Sequence, residues 1–343
     1  MKAIIKAERM PGNIILTQKD IPVPNDDEVL IKIKKAGICG TDFHIYKWDE
    51  WSQNRINPPV IMGHELAGVI EKTGKNATKY KKGDRVSAEG HIVCHHCKSC
   101  RNGLFHICDN VKIIGVDIDG CFAEYMCMPE SNIWPLGEYI SDKYGAIMDP
   151  LGNAMHTVMA QPVKDRNILI TGAGSIGLFA TAIARSQGAD KIVVSEPNEM
   201  KSSIARKIGA DLVINPLEEN TESKILNLFG GHGPDVVLEM SGFKSAVELA
   251  FNVIAKGGDM ALLGLSDKKI TIDMNNNIIF KGITVRGING RRMFETWQQC
   301  DDYLRDYAGN IDPVITHEIG MEEINRGFEM MAANQAVKVV LNI

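Results

Sequence analysis

Between Cys39 and Glu65 the chain reads Cys39-Gly-Thr41-Asp-Phe-His44 and closes on Gly63-His64-Glu65. A soft thiolate, an imidazole and a carboxylate within 27 residues form a donor set that suits zinc better than it suits harder cations. Two further polar groups, Thr41 and His44, follow the thiolate within about one helical turn. Taken singly, each residue reads more simply as a half-buried cysteine, a core histidine or a solvated carboxylate, so the remaining sequence has to supply the context.

A second cluster is denser. Cys94-x-x-Cys97-x-x-Cys100 is followed after seven residues by Cys108, and four thiolates at such spacing close a tetrahedral zinc shell with no position left for a substrate. The expectation is a structural zinc pinning a loop of little regular structure. His95, His96 and His106 interleave with these cysteines and read as exposed loop residues, because the shell is already full. Cys121, Cys127 and Cys300 have no partner spacing and read as ordinary thiols.

The third motif is Gly172-Ala-Gly174-Ser-Ile176-Gly177, which follows an apolar run and opens a helical stretch. Glycines there permit a tight turn, let backbone N–H groups approach a pyrophosphate and let helix and strand pack closely. Nineteen residues beyond Gly177, Glu196 ends the next apolar run. A carboxylate at that point accepts from a ribose 2′-hydroxyl and repels a 2′-phosphate, which favours NAD over NADP, with Lys201 close by in sequence. Asp149, in Met148-Asp-Pro-Leu-Gly-Asn153, falls where the texture of the chain changes. It reads either as a helix cap or as an acidic group facing a cleft between domains.

These residues need two kinds of scaffold. The first third alternates short β-like segments (2–7, 13–19, 28–34) with Pro- and Gly-rich breaks, which predicts a β-rich domain with long loops. From Asn167 on, apolar runs at 168–171, 191–195, 212–214, 235–239, 260–264 and 283–288 alternate with helical stretches. Such runs separated by helices predict a parallel sheet covered on both faces, and six of them match the doubly wound dinucleotide-binding fold. Helical spacing at 293–307 and a last strand at 337–343 are too short for a domain of their own. The predicted organisation is therefore 1–152 with 293–343, and 153–292.

The whole chain of 343 residues is long enough for two cores. A net charge of −5 gives no electrostatic footprint for nucleic acid or an anionic membrane surface. No apolar run reaches membrane-spanning length, and Met1-Lys-Ala-Ile-Ile-Lys6 lacks the apolar region of a signal peptide, so a cytoplasmic location is expected.

The order Cys-Gly-Thr-Asp, Gly-His-Glu, four spaced cysteines, Asp-Pro-Leu-Gly and Gly-Ala-Gly-x-Ile-Gly resembles the zinc-dependent medium-chain dehydrogenases over the whole chain. More specific are His44-Ile-Tyr-Lys-Trp-Asp-Glu-Trp-Ser-Gln53, Glu89-Gly-His91, Asp149-Pro-Leu-Gly-Asn153 and Gly290-Arg-Arg-Met-Phe-Glu-Thr-Trp297, which are similar to the members that act on L-threonine. The resemblance implies a GroES-like catalytic domain of β topology, a Rossmann domain and a homotetramer. It implies that Cys39 and His64 hold a catalytic zinc, that Glu65 is a ligand or close partner, and that Thr41 and His44 relay the proton. It places Gly172, Gly174, Ile176, Gly177, Glu196, Lys201, Leu263-Gly264-Leu265 and Ile288-Asn289 around NAD. Many alcohol dehydrogenases carry a cysteine where Asp149 stands and polyol-type relatives a glutamate, so Glu65, Asp149 and a water all stay open as the completing ligand. The implied reaction is oxidation of the threonine β-hydroxyl to 2-amino-3-oxobutanoate. The rival substrates are sorbitol or 2,3-butanediol, and a zinc-stabilised nucleotide-binding scaffold would leave the 39–65 cluster unexplained.

Overall fold

The computed structural model describes residues 1–266 and 268–343. The chain forms two compact units, one of residues 1–150, 291–308 and 315–343, the other of 151–290 and 309–314. These limits lie two residues before both of the boundaries read from sequence texture, and 309–314 joins the second unit.

The first unit is built around the strand Glu28–Ile38. Val29, Leu30, Ile31 and Ile33 are buried while Lys32 and Lys34 are exposed, the alternation that commits one face of a strand to a core. It pairs antiparallel with Glu65–Thr73, Tyr125–Pro129 and Lys338–Asn342, and the last of these pairs parallel with Ile315–Gly320. The C-terminal strand is therefore an interior member of a seven-stranded sheet rather than an edge. Its core gathers Ile4, Ile31, Ile38, Ile45, Leu66, Phe122 and Phe328 from all over the unit. The short pair His91–Ile92 and Lys112–Ile113 frames the loop that carries the four cysteines.

The second unit is a six-stranded parallel sheet. In chain order its strands are Asn167–Thr171, Lys191–Ser195, Leu212–Ile214, Val236–Glu239, Asp259–Leu262 and Thr284–Gly287, each within two residues of the run that predicted it. In space they lie third, second, first, fourth, fifth, sixth. Strand order reverses between the first and fourth strands, and in such sheets ligands bind outside the carboxyl ends of the strands at that point. No described helix is long and apolar enough to cross a membrane.

Candidate active site and cofactor sites

Cys39 caps the helix Gly40–Lys47. Its own N–H donates to Asp42 Oδ2 at 2.9 Å, the reciprocal half of a capping box, so the thiol is fixed at the positive end of the helix. Thr41 lies in the first turn with Oγ1 3.9 Å from the sulfur. His44, three residues on and on the same helical face, is about half-exposed and its Nδ1 is paired with Asp49. Asp49 in turn accepts from Ser52 N at 3.1 Å, capping the next helix.

His64 and Glu65 arrive on the neighbouring strand, Glu65 in register with Gly37. Donor atoms of Cys39, His64 and Glu65 all lie within 4.8 Å of one another. His64 is buried with Nδ1 3.9 Å from Asp42 Oδ1, too long for a hydrogen bond, and both atoms lack any hydrogen-bond partner. Burial works against an imidazolium there, yet the negative charges of Asp42, Cys39 and Asp149 override it and lift the His64 pKa to about 10. Burial likewise raises the Asp42 carboxyl, against the pull of His64. Orphaned buried polar atoms beside a thiolate–imidazole–carboxylate donor set are what a bound divalent cation relieves, so these residues fit zinc.

Both oxygens of Glu65 are already engaged. Lys338 Nζ, on the C-terminal strand, donates to Oε1 at 2.9 Å and Oε2 at 2.8 Å and to the Ile38 carbonyl at 2.9 Å. Both side chains are essentially inaccessible. Burial opposes the ammonium charge, and Glu65 and Cys39 outweigh it to raise the Lys338 pKa. Space for this pair comes from Gly37, where a Cβ would stand 1.9 Å from Glu65 Oε2.

Asp149 does not cap a helix end in isolation. Its Oδ1 accepts from Arg291 Nη1 at 2.8 Å, and the same guanidinium grips Glu89 through Nε at 2.9 Å and through Nη2. Glu89 also accepts from Trp297 Nε1 at 2.8 Å and from the His91 backbone at 3.0 Å, with His91 Nδ1 2.8 Å away. Glu89, Arg291, Asp149 and Trp297 are all buried. Burial would raise the Glu89 carboxyl, but Arg291 and His91 hold it well below its usual value. Sequence reading quoted Glu89 and Arg291 within motifs without giving either a role. A lone arginine and a lone glutamate 202 residues apart offer no local signal that they meet.

The four cysteines converge, with all donor sulfurs within 4.8 Å. Sγ of Cys108 lies 3.9 Å from that of Cys97 and 3.6 Å from that of Cys94. A tetrahedron of Zn–S bonds of about 2.3 Å has edges of roughly 3.8 Å, so the loop is shaped to that shell. Backbone N–H groups of Cys94, Cys97, Cys100 and Asn110 point at these sulfurs at 3.4 Å. Hydrogen bonds led by that from the His96 backbone lower the Cys94 pKa to about 5, whereas desolvation first and neighbouring thiols second push Cys100 to about 12. His95 and His96 are exposed as expected. His106 is half-buried, because the short helix Phe105–Ile107 is drawn in with Cys108.

On the second unit, Gly172 takes φ +88°, a conformation that disfavours any side chain, and a Cβ at Gly177 would strike the Gly172 carbonyl at 2.0 Å. At Gly174 a Cβ would meet nothing, which leaves open space at the start of the helix Ser175–Ser186. Glu196 reaches the turn, accepting from Ala173 N at 2.7 Å and Asn198 N at 2.9 Å. Ile176 lies in the first turn of that helix, and Lys201 donates its backbone N–H to Asn198 at 3.0 Å. Leu263 and Gly264 follow the fifth strand and Ile288 and Asn289 the sixth. The turn and its carboxylate fit a dinucleotide.

Residues 25–138 match the alcohol dehydrogenase GroES-like domain and 175–306 the zinc-binding dehydrogenase domain. The chain belongs to the zinc-binding dehydrogenases, and zinc and NAD are its cofactors. Among its relatives is the L-threonine 3-dehydrogenase of Pyrococcus horikoshii, 46% identical over 342 residues that cover 99% of this chain and 98% of the relative. That of Bacillus licheniformis is 44% identical over 343 residues with the same coverage. A zinc-binding dehydrogenase from Sinorhizobium meliloti, solved with NADP, superimposes with a TM-score of 0.91 at 28% identity, covering 100% of this chain and 99% of its own.

Proposed function

We propose that this chain oxidises the β-hydroxyl of L-threonine with NAD, giving 2-amino-3-oxobutanoate and NADH. The observation that carries the reading is the meeting of Cys39, His64 and Glu65 in a chain whose relatives named L-threonine 3-dehydrogenase match it over 99% of its length. A zinc held by Cys39 and His64 would acidify the substrate hydroxyl, and NAD on the glycine turn would accept the hydride. Glu65 is a ligand or a close partner held by Lys338.

Thr41 and His44 carry the hydroxyl proton away. Thr41 Oγ1 neighbours the Cys39 sulfur, and His44, one turn further along and half-exposed, passes the proton to solvent. Asp49 orients the His44 ring through Nδ1. Asp149 lies outside the cluster of Cys39, His64 and Glu65 and holds Arg291 through Oδ1, so Glu65 or a water fits the completing position better than Asp149 does. Asp149 and Glu65 each have a cationic partner, so the ammonium of the substrate meets less uncompensated negative charge than a count of carboxylates implies. His91 serves first as a brace of the Glu89 network.

The resemblance supports a homotetramer, and the charge and apolar pattern of the sequence a cytoplasmic location, which sedimentation of the native protein and cell fractionation would check. The reading itself is tested by steady-state rates with NAD on threonine, sorbitol and 2,3-butanediol, followed at the NADH absorbance. Threonine should give the highest kcat/KM; a clear preference for either diol or polyol would overturn the reading.

A further inference from the structure

Glu239 ends the fourth strand of the parallel sheet and is completely buried. Among the described residues no lysine, arginine or histidine forms an ion pair with it. Its carboxylate is held by hydroxyls and backbone instead: Oε1 accepts from Thr171 Oγ1 at 3.1 Å, Ser241 N at 3.0 Å, Ser241 Oγ at 2.5 Å and Gly242 N at 3.1 Å. Its own carbonyl accepts from Leu263 N at 3.0 Å and Gly264 N at 3.1 Å. One residue thus ties together the loops that leave the first, fourth and fifth strands.

The loops are packed to backbone contact around it. A Cβ at Gly172 would lie 2.8 Å from the Ser241 side chain, and one at Gly264 would lie 2.1 Å from Gly242 N and 2.6 Å from Glu239 Oε2. Burying a carboxyl group is costly unless hydrogen bonds meet it, and here four donors converge on Oε1. The same loops carry Phe243 and Leu265, large apolar side chains that are 75% and 94% exposed. The two loops approach each other through backbone, a Cβ at Gly242 standing 2.2 Å from the Leu265 carbonyl, and both exposed side chains sit at the ligand-binding edge of the sheet.

The sheet order decides which ligand half is involved. Glu196 follows the second strand, on one side of the switch point, and touches the glycine turn through Ala173. Glu239 stands on the other side and binds Thr171, the strand residue that leads into that turn. A doubly wound sheet is two mononucleotide-binding halves, and the acidic residue after the second strand takes the adenosine ribose. We infer that Glu239 is the positioning residue of the nicotinamide half, fixing the 240–243 and 263–265 loops so that Phe243 and Leu265 cover that end of NAD.

This rests on NAD binding at the glycine turn, and two ligands separate the claims. In the zinc-loaded full-length enzyme, Kd is measured for NADH and for ADP-ribose, which lacks the nicotinamide. Glu239→Gln should raise the NADH Kd by about 10-fold or more, the scale of buried donors left unsatisfied, and leave ADP-ribose within about twofold, the limit of independent sites. Glu239→Asp should recover part of the loss. Phe243→Ala, an exposed change that leaves the fold intact, should weaken NADH alone in the same way. Equal losses for both ligands, or none for NADH in either Glu239→Gln or Phe243→Ala, overturn the inference. Wild-type enzyme that binds neither ligand overturns the cofactor site as well.

Discussion

Replacing Lys338 by methionine removes the cation beneath Glu65 while keeping an unbranched side chain of similar length. Three hydrogen bonds disappear, two to Glu65 at 2.9 and 2.8 Å and one to the Ile38 carbonyl at 2.9 Å. Both partners are inaccessible to water, so solvent cannot take over the lost charge. Removing one member of a buried pair typically destabilises by about 3–5 kcal/mol, most of it the penalty of the charge left behind. That penalty applies to the zinc-free protein. Where Glu65 reaches the metal, zinc supplies the missing positive charge and recovers part of the loss. By closure of the thermodynamic cycle, whatever zinc recovers appears as tighter binding: recovery of about half, or about 2 kcal/mol, corresponds to roughly 30-fold in affinity. The assay is competition of the catalytic zinc against a chelator, with the four-cysteine zinc as internal standard. Lys338→Arg, which keeps the charge but adds bulk to a site with no free space, should hold zinc affinity near wild type while losing stability. Unchanged or weaker zinc binding in Lys338→Met would refute the idea that Glu65 approaches the metal.

Two further outcomes follow from the geometry. Glu196→Ser removes the carboxylate at the end of the second strand and should shift the NADP-to-NAD ratio of kcat/KM upward by about 10- to 100-fold, the worth of one charged hydrogen bond and the relief of phosphate repulsion; an unmoved ratio would clear Glu196 of cofactor choice. His44→Ala should depress kcat by about 10²- to 10⁴-fold at constant zinc content, with partial rescue by added imidazole. Zinc lost in step with activity would show instead that the side chain supports the metal.

The features visible in the sequence were local ones. A glycine turn between strand and helix needs only six residues, and four cysteines within 15 residues announce a shared ligand. Apolar runs of the second unit located its strands because a sheet buried on both faces leaves no polar interruption. What escaped was long-range. Lys338 sits in Ala336-Val-Lys-Val-Val-Leu341, and a lysine inside an apolar strand must be paired when buried. Only folding reveals that its partner is Glu65, 273 residues away. The Arg291 grip on Glu89 and Asp149 is hidden for the same reason, and so is the half-burial of His106. Glu239 was passed over as the end of a strand, although a carboxylate closing an all-buried run was itself a sign that donors would converge on it.

The interior placement of the C-terminal strand also sets a timetable for synthesis. Residues 151–290 are contiguous and can collapse as a unit while the ribosome is still working, since domains tend to fold as they emerge. The sheet of the first unit must wait with a gap between Glu28–Ile38 and Ile315–Gly320 until Lys338–Asn342 has been made. Glu65, translated early, therefore spends most of chain elongation without its lysine. Over that interval Glu28–Ile38 exposes unpaired backbone along residues 35–38, an open strand edge of the kind that engages chaperones.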